Sequence, residues 1–465
     1  MTYNLIDEEW IPVFYRNGIY RRTGIRRALS ESHLIRDIAA SNPMDRLAIL
    51  RFLLALVYWC KGNPSENPGA EGLAGNWDKL EKERDCFELL GTRRRFYQCM
   101  SAQRLRPITD LLQEIPTGNN FWHFRHCQDG KDGLCLPCCT MGLLRLPLFS
   151  VTGLPNLKAG INGAPPIYVI PVGRTLAETL QINWMRCVET GMPAWLEPTQ
   201  RPAPGTEVPM LNGLTALSRR VFLQEPHGKG ICANCGTNGL PLIITCGYES
   251  AGELRTEHWI DPHVLYSSGT PRKSLQAADL TSAGKFRMDK PQYDLLAQML
   301  KNIPRDGHTQ TRFWIVGFAT HQAKNIDVWE SSVELPACIA MPDAPKLVEL
   351  WQKQSASMVP QLGKGRSGKS KARRNKDIPA HMANIRPYIE HTVSNRIGQI
   401  LGKGIEAWRE VAGEYRPMMR VLAESLSPGI SSRALHRRRT MQTIVPQMHL
   451  PGEERKGQSK KRGEA

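Results

Sequence analysis

Gly133-Leu-Cys135-Leu-Pro-Cys138 and, much later in the chain, Gly230-Ile-Cys232-Ala-Asn-Cys235-Gly236 are the two most informative stretches of this sequence. Each stretch holds a Cys-x-x-Cys pair next to glycine or proline, the residues that permit tight turns. Two such turns can supply the four thiolates that a tetrahedral structural zinc ion requires. We therefore predict one shared zinc site that joins two distant segments and fixes the loops beside each pair.

Two other interpretations of the cysteine pairs are unrelated buried thiols and redox motifs. A thioredoxin-like motif needs a strand before it and a helix after it within a βαβ unit, and neither pair clearly has both. The ligand set is also open, because Cys139 follows Cys138 directly and Cys127 and Cys246 are nearby. The sequence favours a shared metal over a redox role.

The composition favours a polyanionic partner. The 465 residues include 61 Lys and Arg against 44 Asp and Glu, which gives a net charge of +17. This balance indicates nucleic acid or an anionic membrane surface. The polar opening segment lacks a secretory signal, and the most apolar stretch, 47–59, contains Arg51 and is too short to span a bilayer. Twelve cysteines without a signal predict a cytoplasmic protein, so we expect nucleic acid as the partner and no membrane.

The pattern of elements predicts an α+β fold in two domains. Residues 1–335 are predicted to form a large, irregular mixed domain with the zinc site. Its predicted elements are a hairpin around Arg16-Asn17-Gly18, helices at 43–60 and 77–91, and strands at 167–170, 242–245 and 313–318. Residues 336–450 contain four helical patterns and predict a C-terminal four-helix bundle. Residues 451–465 are basic and polar and are predicted to be disordered.

Gly363-Lys-Gly-Arg-Ser-Gly368-Lys369-Ser370 matches the phosphate-binding loop pattern in full, but its context argues against ATP binding. Such a loop needs a buried strand before it and a helix after it. Here a polar helical pattern precedes the motif, and a basic run that soon meets Pro379 follows it. We interpret 361–377 as a flexible basic insert of the bundle that contacts phosphates, or else as a solvated loop without a partner. The candidate phosphate-binding residues are Lys364, Arg366, Lys369, Lys371, Arg373 and Arg374.

Three separated segments, in this order and spacing, resemble the large subunit of the type I-E CRISPR surveillance complex Cascade, the CasA family. The segments are Asn4-Leu-Ile-Asp7 with Trp10-Ile-Pro-Val13, Gly133-Leu-Cys-x-x-Cys138 with Lys158-Ala-Gly-Ile-Asn-Gly163-Ala-Pro-Pro166, and Gly317-Phe-Ala-Thr-His-Gln322-Ala323. The second cysteine pair also lies where the family places its partner pair. The resemblance covers most of the chain in order.

The resemblance implies a non-catalytic subunit that recognises the protospacer-adjacent motif (PAM) of double-stranded DNA, mainly from the minor groove. It also implies that the subunit helps to open the duplex for R-loop formation and recruits a separate helicase-nuclease. The implied cofactor is a structural zinc ion on Cys135, Cys138, Cys232 and Cys235. The implied partners are crRNA, target DNA and the other Cascade subunits: the backbone, the small subunit and the subunit at the crRNA 5′ end.

The resemblance also assigns two DNA-contacting loops by position. The glycine loop, 158–166, would lie against the motif, because residues without bulky side chains let the backbone enter a narrow groove. Its implied DNA-binding residues are Lys158, Gly160, Asn162 and Gly163, with a plain tight turn as the alternative. A wedge is expected at His321, Gln322 and Ala323, where an inserted amide would stack on the last paired base.

Two further contacts are expected from the resemblance. Phe124, with Phe121 as the second choice, is expected to stack on an unpaired base of the crRNA, unless it is a core phenylalanine. The family has a lysine after the second cysteine pair that reaches the minor groove. This sequence offers no lysine there, and Arg255 is the candidate replacement.

Two competing functions come from other classes. His123 and His126 lie near Cys127, but no paired carboxylates support a metal nuclease, so we expect no enzymatic activity. The main alternative is a free-standing, zinc-stabilised nucleic-acid-binding protein that acts without a guide RNA.

Overall fold

A computed structural model of the chain describes residues 2–64, 73, 77–113, 133–151, 157–199, 205–252, 254, 258–264, 266–267, 273–274, 298–299, 302, 311–321 and 324–335. The chain divides into two compact units, Met1–Glu334 and Leu335–Ala465. The predicted four-helix bundle, its basic insert and the tail lie outside the described residues. All that follows concerns the first unit, which is a mixture of helices and strands, as predicted.

The helices of the described part are α1 (Ile25–Ser30), α2 (Pro43–Lys61), α3 (Asp78–Lys82), α4 (Leu136–Phe149), α5 (Leu176–Asn183) and α6 (Met210–Leu214). The strands are β1 (Ile11–Tyr15), β2 (Tyr20–Thr23), β3 (Ile35–Ile38), β4 (Leu105–Pro107), β5 (Leu134–Cys135), β6 (Tyr168–Val172), β7 (Arg219–Leu223), β8 (His227–Gly230), β9 (Leu240–Ile243), β10 (Thr245–Ser250), β11 (Tyr266–Ser267), β12 (Lys273–Ser274), β13 (Thr311–His321) and β14 (Lys324–Leu335). The described strands form five small sheets, with the strand orders β2-β1-β3, β4-β10-β7, β11-β12, β14-β13-β6 and β5-β9-β8.

The N-terminal sheet confirms the predicted hairpin. Strands β1 and β2 are antiparallel, and the turn between them places Gly18 at φ +82°, with the Gly18 amide donating to the Tyr15 carbonyl at 2.9 Å. A left-handed conformation of this kind favours glycine, which is why the turn motif was informative. Strand β3 pairs with the other edge of β1.

Helix α2 is the central helix of the core and matches the predicted 43–60 closely. The Asn42 side chain accepts a hydrogen bond from the Met44 amide at 2.9 Å, Pro43 occupies the first turn, and Gly62 ends the helix at φ +76°. These are the expected start and stop signals. Residues 47–59 of this helix are all buried, including Arg51.

The predicted helix at 77–91 is wrong in its second half. Helix α3 ends at Lys82, and a 3-10 turn follows at Arg84–Phe87. The chain then becomes extended because it bonds with the N-terminal segment: the Leu5 amide donates to the Phe87 carbonyl at 3.0 Å, and the Leu89 amide donates to the Tyr3 carbonyl at 2.9 Å. Tertiary hydrogen bonds thus override the local helical pattern.

The other predicted strands are found with shifted bounds. Strand β6 covers the predicted 167–170 except its first residue, and β13 contains all of 313–318. The predicted single strand at 242–245 is wrong, because the chain leaves β9 at Ile243 and enters β10 at Thr245 in a different sheet. Ile244 lies between the two strands, and its carbonyl accepts a hydrogen bond from the Ile108 amide at 2.8 Å.

One hydrophobic core joins these elements within the first unit. Its aromatic centre includes Phe52 of α2, whose ring centroid lies 5.3 Å from that of Phe96 and 5.6 Å from that of Trp195. Edge-to-face contacts of this kind add about 0.5–1.5 kcal/mol each to the gain from burial. None of the helices in the described part of the chain has the length and apolar character to span a bilayer.

Candidate nucleic-acid interface and cysteine cluster

The four cysteines of the two Cys-x-x-Cys pairs lie together. The sulfur atoms of Cys135, Cys138, Cys232 and Cys235 are all within 4.8 Å of one another. Cys135 ends β5 and caps α4, and Cys138 lies in the first turn of α4. The second pair lies between β8 and β9, and β9 pairs with both β5 and β8. The small antiparallel sheet therefore brings the two distant pairs together.

Backbone geometry shapes the second turn. The Cys232 amide donates to the Thr237 carbonyl, and the Gly236 amide donates to the Cys232 carbonyl, both at 2.9 Å, with Gly236 at φ +69°. Gly133 is needed for a different reason: a Cβ atom there would lie 2.7 Å from the Cβ of Leu242 on the paired strand. The glycines beside the cysteines are thus required by the turn and by the close approach of β5 and β9.

The geometry fits a tetrahedral metal site. A zinc–sulfur bond of about 2.3 Å implies that neighbouring sulfurs are about 3.8 Å apart. The Cys135 and Cys235 sulfurs are 3.7 Å apart, and the Cys135 amide donates to the Cys232 sulfur at 3.3 Å. Four sulfur donors at this spacing are the ligand set that zinc prefers in structural sites. The cluster is therefore compatible with a bound metal ion.

Contacts within the cluster and burial shift the pKa values of its thiols. Hydrogen bonds from Cys135 and Cys138 lower the pKa of Cys232, so one thiolate is favoured. For Cys135, the bond with Cys138 lowers the pKa, but the bond with Cys232 and burial outweigh it and raise the pKa to about 12. The pKa of Cys138 is raised by its bonds with Cys135 and Cys232 and by burial. A divalent cation would supply the positive charge that full deprotonation of such a cluster requires.

The structure also tests which other cysteines join the cluster and whether the first pair forms a redox motif. Cys139 donates to the Leu134 carbonyl at 3.6 Å and Cys246 is buried in β10, so neither belongs to the cluster. Cys127 lies outside the described residues. The first pair does have a strand before it and a helix after it, contrary to expectation. That strand belongs to an antiparallel sheet, so no βαβ redox unit is formed there.

The glycine loop follows α4 and contains a tight turn between Gly160 and Gly163. The Gly163 amide donates to the Gly160 carbonyl at 2.9 Å, and Gly163 has φ +81°. Gly160 is buried, and a Cβ atom there would lie 3.1 Å from the Pro147 carbonyl oxygen of α4. The Lys158 side chain is exposed, while its carbonyl accepts a hydrogen bond from Arg219 at 2.6 Å. The loop therefore exposes the Lys158 side chain, while hydrogen bonds hold the loop backbone in place.

Asn162 faces inward, in contrast to the DNA contact that the resemblance implies. Its side chain is only 9% exposed; the amide nitrogen donates to Asp261 Oδ2 at 2.8 Å, and the amide oxygen accepts from Trp259 Nε1 at 3.0 Å. Its carbonyl accepts a third bond, from the Ser274 hydroxyl at 2.8 Å. Asn162 thus anchors the loop, because its polar atoms are used inside the protein.

The anchor belongs to a buried network centred on an ion pair. Arg51 of α2 donates to both carboxylate oxygens of Asp261 at 2.7 Å each, and it lies 2.9 Å from His263 Nδ1. Burial raises the pKa of Asp261, but the charge of Arg51 and its hydrogen bonds outweigh it and lower this pKa. Burial and the Arg51 charge lower the pKa of His263 to about 3, so the ring is neutral. Its Nδ1 then accepts from Arg51 and its Nε2–H donates to Asn183 Oδ1 at 2.9 Å.

The same segment supports the strand that leads to the expected wedge. The Val169 amide of β6 donates to the His263 carbonyl at 2.8 Å, and β6 pairs with β13 from Val172↔Arg312 to Tyr168↔Val316. Strand β13 ends at His321, directly before Gln322 and Ala323, which lie outside the described residues. Residues 261–264 therefore contact both the glycine loop and the sheet that carries the wedge position.

Sequence reasoning missed the centre of this site. Arg51 was visible only as a charge that interrupts an apolar helix, which is itself a signal of a buried ion pair. Asp261, His263 and Trp259 carried no local signal. The other expected site residues, Phe121, Phe124, Arg255 and the six basic residues of the insert, lie outside the described residues.

Comparison with known proteins identifies the family. The family model of the CRISPR-associated protein Cse1 matches residues 4–437. The chain belongs to the Cse1 family. The resemblance to the CasA family is thereby confirmed. A curated Cse1 relative, "CRISPR-associated protein CasA/Cse1" of Thermus thermophilus, is 25% identical in an alignment 415 positions long that covers 78% of this chain and 76% of the relative.

Solved structures of Cse1 proteins share the fold. Thermus thermophilus CasA (Cse1) matches with a TM-score of 0.65 and 19% identity, covering 96% of this chain and 99% of that chain. Cse1 from Acidimicrobium ferrooxidans matches with a TM-score of 0.62 and 17% identity, covering 96% and 97%. A chain from a structure described as "CRISPR RNA-guided surveillance complex" matches with a TM-score of 0.60 and 15% identity, covering 96% and 99%.

Proposed function

We propose that the chain is the non-catalytic large subunit of a crRNA-guided type I-E Cascade complex that recognises the PAM of double-stranded DNA. Membership of the Cse1 family supports this role, as does the similarity to a chain from a CRISPR RNA-guided surveillance complex. The observation that carries the DNA-binding part is the glycine loop, in which an exposed Lys158 stands on a backbone that a buried network fixes.

The loop would read the motif with its backbone and one charge. The minor groove offers a degenerate pattern of acceptors, and its narrowness favours segments without bulky side chains. Gly163 would let the backbone approach the base edges, Gly160 would let the loop pack against α4, and Lys158 would bind the adjacent phosphates or groove acceptors. Asn162 would act indirectly, because its side chain holds the loop through Asp261 and Trp259.

The cysteine cluster would hold a structural Zn²⁺ on Cys135, Cys138, Cys232 and Cys235. Zinc performs no chemistry in this proposal; it fixes the start of α4. The far end of α4 supports the glycine loop and β6: the Leu148 carbonyl accepts from the Tyr168 hydroxyl at 3.1 Å, and Gly160 lies against Pro147. The metal and the loop would thus be connected by one rigid, fully buried helix.

The other implied roles complete the proposal. Gln322, between His321 and Ala323, would enter the duplex and help to start the R-loop. Phe124 or Phe121 would stack on the crRNA, and Arg255 would replace the family's lysine. The C-terminal unit would contact target DNA and the small subunits through its helical bundle, and the subunit would recruit the helicase-nuclease.

The decisive experiment is reconstitution. The chain should co-purify with guide-loaded backbone subunits, and the resulting complex should bind duplexes with strong dependence on the adjacent motif. Lys158→Ala should lower affinity for the best motif about tenfold, whereas Lys82→Ala, at another exposed lysine, should leave it unchanged. Equal binding to all motifs would contradict the proposal. Motif-selective binding by the isolated chain, with no association with guide-loaded subunits, would favour the free-standing alternative.

The basic insert has its own test. Neutralising four of its basic residues, Lys364, Arg366, Lys369 and Lys371, should flatten the salt dependence of DNA binding, because each lost phosphate contact reduces the slope by about 0.9 on duplex DNA. Neutralising four exposed basic residues of the first unit that lie away from the glycine loop is the control. A slope equal to that of the parent would show that 361–377 is a solvated loop.

A further inference from the structure

The outer face of the N-terminal sheet exposes two aromatic rings on a rigid support. Phe14 of β1 and Tyr20 of β2 are directly opposite each other, 37% and 50% exposed, with ring centroids 5.7 Å apart at 65°. The centre of the opposite face of this sheet is buried, with Val13 of β1 and Ile35 of β3 at 0% exposure. The rings therefore stand on a sheet that the core holds in place, rather than on a free loop.

Arginine side chains surround these rings. The Arg36 guanidinium carbon lies 5.8 Å from the centroid of the Phe14 ring, and the Arg22 guanidinium lies near the Tyr20 hydroxyl. Arg16 is exposed at the turn, whereas Arg21 is directly opposite Val13 and so lies on the other face of the sheet. We call Phe14, Tyr20, Arg16, Arg22 and Arg36 the aromatic–arginine face.

The positive charge of this face is not neutralised by the described part of the chain. Residues 10–30 contain five arginines and no Asp or Glu. Two of them, Arg26 and Arg27, pair with acidic residues away from the face, namely Asp7, Glu81, Glu9 and Glu31. No described acidic side chain pairs with Arg16, Arg22 or Arg36, and Asp37 beside Phe14 pairs with Arg46. Charge complementarity therefore calls for a polyanion.

We propose that the aromatic–arginine face binds single-stranded nucleic acid, with bases stacked on Tyr20 and Phe14 and phosphates bound by Arg16, Arg22 and Arg36. Exposed rings beside cationic side chains are the usual construction of sequence-tolerant single-strand sites, because every base offers a face for stacking. The site is separate from the glycine loop: it needs an unpaired strand and no motif, so it goes beyond the proposed function. A protein partner would also use aromatic and arginine side chains, but it would not require three unpaired positive charges.

The test measures binding of fluorescein-labelled oligothymidylate and oligouridylate, about 16 nucleotides long, to the full chain by fluorescence anisotropy across a salt series. The double variant Phe14→Ala, Tyr20→Ala should weaken binding at least tenfold with the salt slope unchanged. Tyr20→Phe, which keeps the ring, should retain affinity. The triple variant Arg16→Gln, Arg22→Gln, Arg36→Gln should reduce the salt slope by about 2, since each contact on a single strand contributes about 0.7.

Controls distinguish binding at this face from non-specific binding to positive charge and from loss of the folded structure. The charge-matched variant Lys82→Gln, Arg93→Gln, Lys229→Gln removes three exposed charges elsewhere and should change affinity less than threefold. Photocrosslinking of oligonucleotides with 5-iodouracil to the unaltered chain should label the peptide that contains Tyr20, which requires no variant to fold. Crosslinks confined to other peptides, or affinities within twofold of the parent for both sets of variants, would overturn the proposal. Unchanged oligonucleotide affinity with lost assembly into the complex would assign the face to a protein partner and also overturn it.

Discussion

Replacing Asp261 by asparagine tests whether the buried ion pair holds the glycine loop. The Asp261 side chain is 0% exposed and accepts four hydrogen bonds: two from Arg51 at 2.7 Å, one from Asn162 at 2.8 Å and one from the His263 amide at 2.9 Å. Asparagine keeps the shape but removes the charge, and its NH₂ group faces donors. The Arg51 guanidinium, itself 3% exposed, is left as an unpaired buried charge.

The expected loss is about 3–5 kcal/mol, the cost of removing one partner of a buried ion pair. An independent estimate agrees: two unit charges about 4 Å apart at an effective dielectric constant near 20 attract by about 4 kcal/mol. A loss of this size should lower the thermal midpoint of the first unit, Met1–Glu334, by about 4–7 °C. The Asn162 anchor also weakens, so residues 160–163 should exchange their amide protons faster.

The assay combines thermal unfolding with hydrogen exchange of the glycine loop. The matched control is Glu225→Gln, the same chemical change in the pair Arg95–Glu225, whose glutamate is 70% exposed and should cost less than about 1 kcal/mol. The double variant Arg51→Met, Asp261→Asn should recover part of the loss, because it leaves no unpaired charge. The reasoning fails if Asp261→Asn behaves like the control, or if the double variant equals the sum of the two single losses.

Three further predictions concern His263, the cysteine cluster and the glycine loop. As the pH falls from 6.5 to about 3, the free energy of unfolding should fall by about 1.4 kcal/mol per pH unit, because His263 binds a proton in the unfolded chain but not in the folded one. Asp261, whose pKa is lowered in the folded protein, adds a further loss below about pH 3.8. Urea titrations of His263→Asn should show a flatter pH profile above pH 3.8. Cys138→Ser should abolish stoichiometric zinc, measured by elemental analysis, and lower motif discrimination, whereas Cys139→Ala beside it should keep the metal. Gly163→Ala, at φ +81°, should cost about 1–2 kcal/mol and reduce motif discrimination, whereas Gly205→Ala, at φ +74° in open space, should cost a similar amount without affecting DNA binding.

Sequence reasoning predicted the parts of the fold that are determined by residues close together in the sequence. The hairpin at Arg16-Asn17-Gly18 and the bounds of α2 follow from turn and cap residues within a few positions of each other. The cysteine cluster was also predictable, because a Cys-x-x-Cys turn has few purposes and two turns complete one tetrahedron. In each case the short-range pattern carries its own physical explanation.

The rest depended on contacts between distant segments. The helix predicted at 77–91 stops early because residues 87–89 bond with the N-terminal segment, and the strand predicted at 242–245 is divided between two sheets. Arg51 and Asp261 are 210 residues apart, so no period or motif links them. Asn162 shows the limit most clearly: its place in the loop was correctly found, but its inward hydrogen bonds become visible only in three dimensions.

The separation of Arg51 from Asp261 also has a consequence during synthesis. Helix α2 leaves the ribosome long before residue 261 is made, and at roughly 5–20 residues per second the intervening 210 positions take about 10–40 s. Throughout that interval one of the most apolar segments of the protein has an arginine without its carboxylate and cannot settle into its final place. Nascent chains should therefore rely on chaperones until residue 261 emerges, and shorter chains that end before it should aggregate.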